Sequence, residues 1–325
     1  MGATVLTAAP SFLVGYAKSV FAAPVASSLH SDVAAVTHTE SVDDDGRIAG
    51  SVVQTMVDEG VKTITQKGLT SEAWRALFPS LKSTDVIGIK INCINRRFYS
   101  DSEVIDAIVA SLLRIGVAEN NIIVWDRQQR EMTRCGFGIN TGQSGVRYMA
   151  TGEYDRDLPI RAGSNARDVT YLSTILTRQC DHLINVPVLK DHNMAGVTLS
   201  MKNHYGSIAN PYSFHGNSCD PHIGYINTSA PIQDKTRLIV LDALKGIYRG
   251  GPGGSPQWMN RQIIVGTDPV AVDYEGMLVL EAKRTSVLGE SMSVIRRARH
   301  IQTAAELGVG TNNPEQIDLH DLRLG

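Results

Sequence analysis

A chain of 325 residues can fill one large α/β domain or two small ones, with a sizeable core in either case. Hydrophobic residues at 42% and charged residues at 20% exclude wholesale disorder. Lys+Arg 31 against Asp+Glu 33 gives a formal net charge of −2 with no long basic run, so no nucleic-acid partner is expected; Arg296, Arg297 and Arg299 read as a solvated helix face.

Between Gly2 and Ala26 the sole charge is Lys18, and Ala, Val, Leu and Phe dominate. Ending in small residues around Val20-Phe21-Ala22-Ala23, residues 1–26 look like a signal-peptide core with its cleavage region. They match the back half of a twin-arginine leader whose Arg pair would lie upstream of Met1. The expectation is export to a periplasmic or extracellular space; an N-terminal helix packed on the body is the alternative. Pro10 and Gly15 break the segment, so no stable membrane span is expected.

Residues 27–45 are small, polar and acidic, reading as a linker before one α/β domain over 46–325. Apolar residues at helical spacing from Ile48 to Ile64 predict an amphipathic helix that stops before Gly68. Trp74, Leu77 and Phe78 predict a short helix ended by Pro79. Alternation then begins. Asp85–Asn92 (DVIGIKIN) reads as a buried strand, Ser102–Ile115 as a helix and Asn121–Asp126 (NIIVWD) as a second strand. A helix near Leu172–Arg178 leads to a third strand, His182–Leu189, and a helical stretch between Asn193 and Ile208 follows. Arg237–Leu244 and Gln262–Thr267 are further strands, with helices at about Val270–Lys283 and Ser293–Leu307. Apolar strands separated by helices predict an α/β fold: a mixed or mostly parallel sheet covered by helices on both faces, in one body or two α/β lobes. Ligands of such sheets bind beyond the strands' carboxyl ends. That edge would carry Asn92-Cys93, Asp126-Arg127, Lys190 to His192, Asp242 and Asp268.

Chemistry concentrates between Lys190 and His222. Five of the nine histidines (His182, His192, His204, His215, His222) fall in a stretch of about 41 residues, together with Lys190, Lys202, Asp191, Cys219 and Asp220. Lys190 and Lys202 would neutralise a small anionic molecule. His192 and His204 would carry protons or, with His215, Cys219 and Asp220, bind a transition metal. No HExxH or His-x-His pattern points to a zinc hydrolase. The loop Arg249-Gly-Gly-Pro-Gly-Gly254 offers the backbone amides of Gly251 and Gly253 to an anion or cofactor, with Lys245 and Arg249 beside it, but lacks a P-loop ending. Asp268 is placed to cap a helix that begins with Pro269, and to orient a histidine. Asp273 faces either the site or solvent, and Asp126 is either catalytic or paired with Arg127 or Arg130. Cys93, Cys135, Cys180 and Cys219 form no CxxC motif and no internal iron–sulfur site. They allow up to two disulfides in three pairings; buried free thiols are the simpler reading for Cys135 and Cys180.

The stretches DVIGIKINC (85–93), NNIIVWDR (120–127), LINVPVLKDHNMAGVTLSMKNHYG (183–206), HGNSCDP (215–221), GGPG (250–253) and VGTDPVAVD (265–273) resemble the bacterial and archaeal family called domain of unknown function 362. The resemblance runs over nearly all of the chain after about residue 45. It implies no assigned activity. Many exported members carry twin-arginine-type leaders, and some are joined to ferredoxin-like modules, which this chain lacks. It directs attention to Lys190, His192, Lys202, Asn203, His204, Cys219, Asp220 and Asp268, with Asn203 as a cofactor contact. The layout is loosely similar to nickel-pincer lactate racemases, whose motifs are not seen here. Two functions follow as expectations: an enzyme acting on a small anionic substrate with metal or cofactor assistance, or a non-catalytic metal-, cofactor- or redox-partner-binding subunit of a periplasmic complex.

Overall fold

The computed structural model describes residues 30–152 and 155–325, so the leader expected over 1–26 lies outside the described residues. In chain order the elements are β1 (Ser31–His38), α1 (Gly50–Thr65), α2 (Thr70–Ala76), β2 (Ile87–Lys90), α3 (Ser102–Arg114), β3 (Ile122–Asp126), α4 (Gln129–Arg134), β4 (Arg147–Ala150), β5 (Leu158–Arg161), β6 (Val169–Leu172), β7 (His182–Asn185), β8 (Val188–His192) and β9 (Gly196–Val197). Then come α5 (Leu199–Asn203), α6 (His222–Asn227), α7 (Ala230–Lys235), β10 (Thr236–Ile247), β11 (Trp258–Gly266), α8 (Pro269–Leu288), α9 (Arg299–Glu306) and β12 (Ile317–Leu324).

The fold is α/β. One ten-stranded sheet takes the place of two lobes: its path runs β12-β1-β11-β10-β7-β2-β3-β4, with β8 and β9 branching from β10. Strands β4, β3, β2, β7 and β10 run parallel to one another, and β11 runs antiparallel to both β10 and β1. Successive side chains of each strand enter opposite cores, as a period of two requires. Ile87, Ile89, Ile122 and Val124 pack with α1, α2 and α3 through Met56, Trp74 and Ile105. Ile123, Trp125, Leu183 and Leu241 pack on the other face with Leu199, Met277 and Ile301.

Four expectations need correction. Ser31–His38, read as linker, is the interior strand β1, paired with both β11 and β12; its alternation Val33, Ala34, Ala35, Val36 supplies one apolar residue after another to the two cores. The single strand expected over His182–Leu189 divides at Pro187, which has no amide hydrogen for a ladder, and the long β10 pairs with both pieces. The helix expected between Asn193 and Ile208 begins only at Leu199, because β8 turns into a hairpin with β9. The helix expected near Leu172–Arg178 is present as one π-helical turn over Ile175–Gln179, whereas the helix expected over Ser293–Leu307 begins only at Arg299, as α9.

One buried carboxylate organises a site-bearing segment at a distance. Asp273, on α8, accepts hydrogen bonds from the backbone amides of Ser200 (2.6 Å) and Met201 (3.0 Å), so it caps α5 from outside. Its residue is therefore turned neither to the site nor to solvent. Burial raises its pKa to about 7. Leu199 starts α5 at φ 47°, a left-handed conformation of order 1–3 kcal/mol in cost for a branched residue. The Asp273 cap and the packing of Leu199 in the core hold that strained start.

Candidate functional site

Parallel β2, β3 and β8 bring Lys90, Asp126 and Lys190 to one edge of the sheet, and α5 lies across it. Beyond this edge is a hollow of about 240 Å³ whose wall includes Asn92, Arg127, Glu131, His192, Lys202, Asn203, Tyr205, Tyr212 and His215. The floor is a buried polar network. Lys90 Nζ donates to Asp126 Oδ1 at 2.7 Å and to the Ile91 carbonyl at 2.6 Å. The other Asp126 oxygen accepts from the Cys93 amide at 2.6 Å. Asn203 is the hub: its Oδ1 accepts from Asn92 Nδ2 at 3.0 Å, and its Nδ2 donates to Asn185 Oδ1 at 2.7 Å. Lys190 Nζ donates to Asn92 Oδ1 at 2.7 Å.

Three cations remain after Lys90 and Asp126 neutralise each other: Lys190 below the floor, Lys202 in the wall and Arg127 at the rim, where its guanidinium lies 5.5 Å from the Tyr212 ring centre. Burial lowers the Lys190 pKa to about 7, with the Lys202 charge adding to that and Asp126 opposing it. Burial likewise lowers Lys202 to about 8. Glu131 is the remaining acid in the wall, raised by burial. Buried ammonium groups with depressed pKa values and few counter-charges are the kind of arrangement that functional sites use. The Thr198 hydroxyl, in the same wall, is buried with no hydrogen-bond partner among the described residues.

The histidines divide. His192 Nδ1 accepts from the amides of Met194 (3.1 Å) and Ala195 (3.2 Å), which places the ring proton on Nε2. Burial first, and then Lys202, lower its pKa to about 2, so it faces the hollow as a neutral N–H donor rather than a base. His215 has the reverse tautomer. Its Nδ1 must donate to the Pro211 carbonyl at 3.0 Å, leaving the Nε2 lone pair toward Lys202 Nζ at 3.3 Å. The Tyr205 ring closes the other side of that amine, 4.1 Å away.

Lys190, His192, Lys202, Asn203 and His215 thus converge as expected from the sequence; His204 and Asp268 do not. Because β11 is antiparallel to β10, Asp268 follows the strand at the opposite end of the sheet. There it caps α8 through Val270 N (2.8 Å) and Ala271 N (3.0 Å) and also holds Ser31 Oγ and Thr311 N. His204 follows Asn203 by one residue, a rotation of about 100° that turns it away from its neighbour. It bonds Ser207 Oγ at 3.1 Å and lines a second hollow of about 360 Å³ with Asn227 and Asp268.

The expected metal ligands also separate. Among the described residues no group of three or more His, Cys, Asp or Glu side chains is placed to hold a metal ion. His192 and His215 lie with ring centres 5.9 Å apart, the buried Cys219 thiol points to the His215 carbonyl, and Asp220 borders a surface groove beside Arg299. All four cysteines are free and buried. The glycine-rich loop is no open cradle. The Gly251 amide donates to Asp191 Oδ1 at 2.6 Å, Asp191 pairs with Arg284, and Gly253 is exposed; only Pro252 reaches the hollow. A Cβ on Gly251 would fall on the Asp191 carbonyl, so this glycine serves close packing. Lys245 is engaged by Asp101 at 2.9 Å, and the Asp242 carboxylate accepts the Asp101 amide at the start of α3.

Sequence reading missed Lys90, Tyr205 and Tyr212, and gave Asn92 and Asn185 no role. A lysine inside the apolar run Ile87-Gly-Ile-Lys-Ile91 was the available signal for the first.

Helices on both faces of a mostly parallel sheet, with buried lysines and histidines around a polar hollow at its carboxyl edge, define an α/β protein. The chain belongs to the family described as Domain of unknown function (DUF362), whose model matches residues 87–277 and so spans every residue of the hollow. The structure is similar to a crystal structure of a protein from Thermotoga maritima, with a TM-score of 0.41 and 12% identity over 80% of this chain. The match takes in 59% of that protein, so the chain spans less than two thirds of its length. No curated protein matches the chain.

Proposed function

We propose that the protein is an enzyme whose hollow at the sheet edge takes a small anionic substrate. The observation that supports this reading is the cationic surplus of the hollow: Lys190, Lys202 and Arg127 against the single unpaired acid Glu131, in a space closed enough to depress both lysines. Lys202 and Arg127 would hold the anion by charge-assisted hydrogen bonds, and Lys190 would act on it through Asn92. The Nε2–H of His192 would donate to an oxygen of the substrate where charge develops.

Titration calorimetry with sulfate, phosphate and short carboxylates tests the reading. Wild type should bind at least one of them at neutral pH. Lys202→Met should weaken binding tenfold or more, since a charge-assisted hydrogen bond contributes about 1.5–3 kcal/mol. Equal affinity in the variant, or no binding to wild type, removes the anion site.

A binding subunit of an extracytoplasmic complex is the second reading, favoured by the apolar rim: Ile94 is 48% exposed and Tyr212 72%, and both line the hollow. Export rests on the composition of residues 1–26, and cell fractionation of the full chain decides it. Among the described residues no helix is long and apolar enough to cross a membrane.

A further inference from the structure

The wall of the hollow holds an arrangement that anion binding alone does not require. Lys202 Nζ meets a ring nitrogen and a ring face rather than a carboxylate. The ring nitrogen belongs to a histidine whose tautomer is fixed from behind by the Pro211 carbonyl, so its lone pair faces the amine. Nucleophile, base and orienting group therefore stand in line, the geometry that activates side-chain nucleophiles generally. His215 is half-exposed, which gives its proton a route to water, while Lys202 is 7% exposed and reachable only from the hollow.

We infer that Lys202 is a nucleophilic amine that condenses with the aldehyde or ketone carbonyl of a small carboxylate, with His215 as its base. The inference rests on the anion reading of the hollow and adds to it the substrate class, an oxo acid. In the step, the Lys202 ammonium passes one proton to His215 Nε2. The free amine attacks the carbonyl carbon, a C–N bond forms, and the nitrogen passes a proton to the carbonyl oxygen. The resulting hydroxyl leaves as water, taking the proton held by His215. Ammonium, carbonyl and neutral His215 thus become a protonated imine, water and neutral His215, with no change of oxidation state. His192, with its Nε2–H unengaged, lines the same wall and is placed to donate to the carbonyl oxygen. At pH 7 an amine titrating at about 8 is free roughly two-hundredfold more often than an ordinary lysine.

The test treats the full-length protein with glyoxylate and cyanoborohydride, which reduces the imine to a stable carboxymethyl-lysine, and locates the adduct by peptide mass mapping. The expected result is one adduct, on Lys202, formed at least tenfold faster than on the exposed Lys67. Lys202→Arg should lose it. His215→Gln should slow it about tenfold while leaving Lys202 as the labelled position, which a merely structural His215 would not do. Adducts spread over exposed lysines, or Lys190 labelled in preference, overturn the proposal using wild type alone. If sulfate still binds wild type and Lys202 stays unlabelled, the imine falls and the anion site stands; if sulfate fails as well, both fall.

Discussion

Lys90 and Lys190 are both fully buried at the carboxyl edge of the same sheet, yet their surroundings are opposite. Lys90 has a carboxylate at 2.7 Å, a backbone carbonyl at 2.6 Å and the Trp125 ring 5.5 Å away. Lys190 has one amide oxygen, from Asn92, and a second lysine charge acting against it. The first is a closed ion pair that ties β2 to β3. The second has no carboxylate partner among the described residues, an unfavourable arrangement for stability that the proposed anion site would use. A buried lysine is thus structural or functional according to what neutralises it, and its burial alone does not say which.

The largest effect should come from opening the closed pair. Asp126→Asn strands the Lys90 ammonium and also weakens the acceptor of the Cys93 amide, so chemical denaturation should show a loss of about 3–5 kcal/mol. A loss below about 1 kcal/mol would mean that Lys90 is neutral or hydrated, and the contrast with Lys190 would vanish. Gly206→Ala should come next. A Cβ there would lie 2.6 Å from Asp126 Oδ1 and 2.7 Å from Lys90 Nζ, so the turn after α5 must back away from the pair. The expected cost is about 1–3 kcal/mol, the usual range for overpacking. If Gly206→Ala unfolds at the wild-type denaturant midpoint, the close approach of this turn is not needed by the pair.

Much of the contrast was beyond the reach of the sequence. Apolar runs announced β2, β3, β10 and β11, because strands covered on both faces need nothing but hydrophobic side chains. β1 was misread because Ala34 and Ala35 are small and its flanks polar; what makes it a strand is its pairing with two others far along the chain. The stretch Lys190 to His222 stood out for its titratable groups, and five of its expected residues do converge. The direction of β11 decided which expected residues fell away, and no local pattern encodes it: antiparallel pairing carried Asp268 to the far end. Likewise, neighbouring Asn203 and His204 looked equivalent until the rotation of about 100° between adjacent positions sent them to different hollows. Charge pairing across β2 and β3 depends on register, which brings Lys90 beside Trp125 and next to Asp126.

The smallest expected effect, and the sharpest test of the contrast, is a difference in pH slope. Lys190 titrates at about 7 in the fold, against about 10.4 for a lysine in the unfolded chain. Below pH 7 both states carry the proton, and the cost of burying the ammonium is borne in full. Between about 7 and 10 the unfolded chain binds more protons, so the ligand-free protein should gain stability as pH rises, by up to about 1.4 kcal/mol per pH unit from this group. Lys202 acts in the same sense over a narrower window beginning near 8. Lys190→Met should stay within about 1 kcal/mol of wild type at pH 7, since the charge it removes and the Asn92 acceptor it orphans offset each other, and should show a flatter rise toward pH 9. Anion affinity must run the other way, falling as the two ammonium groups lose their protons. Denaturant midpoints at pH 7 and 9 for both proteins, with sulfate titrations at the same pH values, separate the two trends. Parallel slopes for wild type and Lys190→Met would show that Lys190 is not held near neutrality, and that the hollow lacks the uncompensated charge on which the proposed anion binding depends.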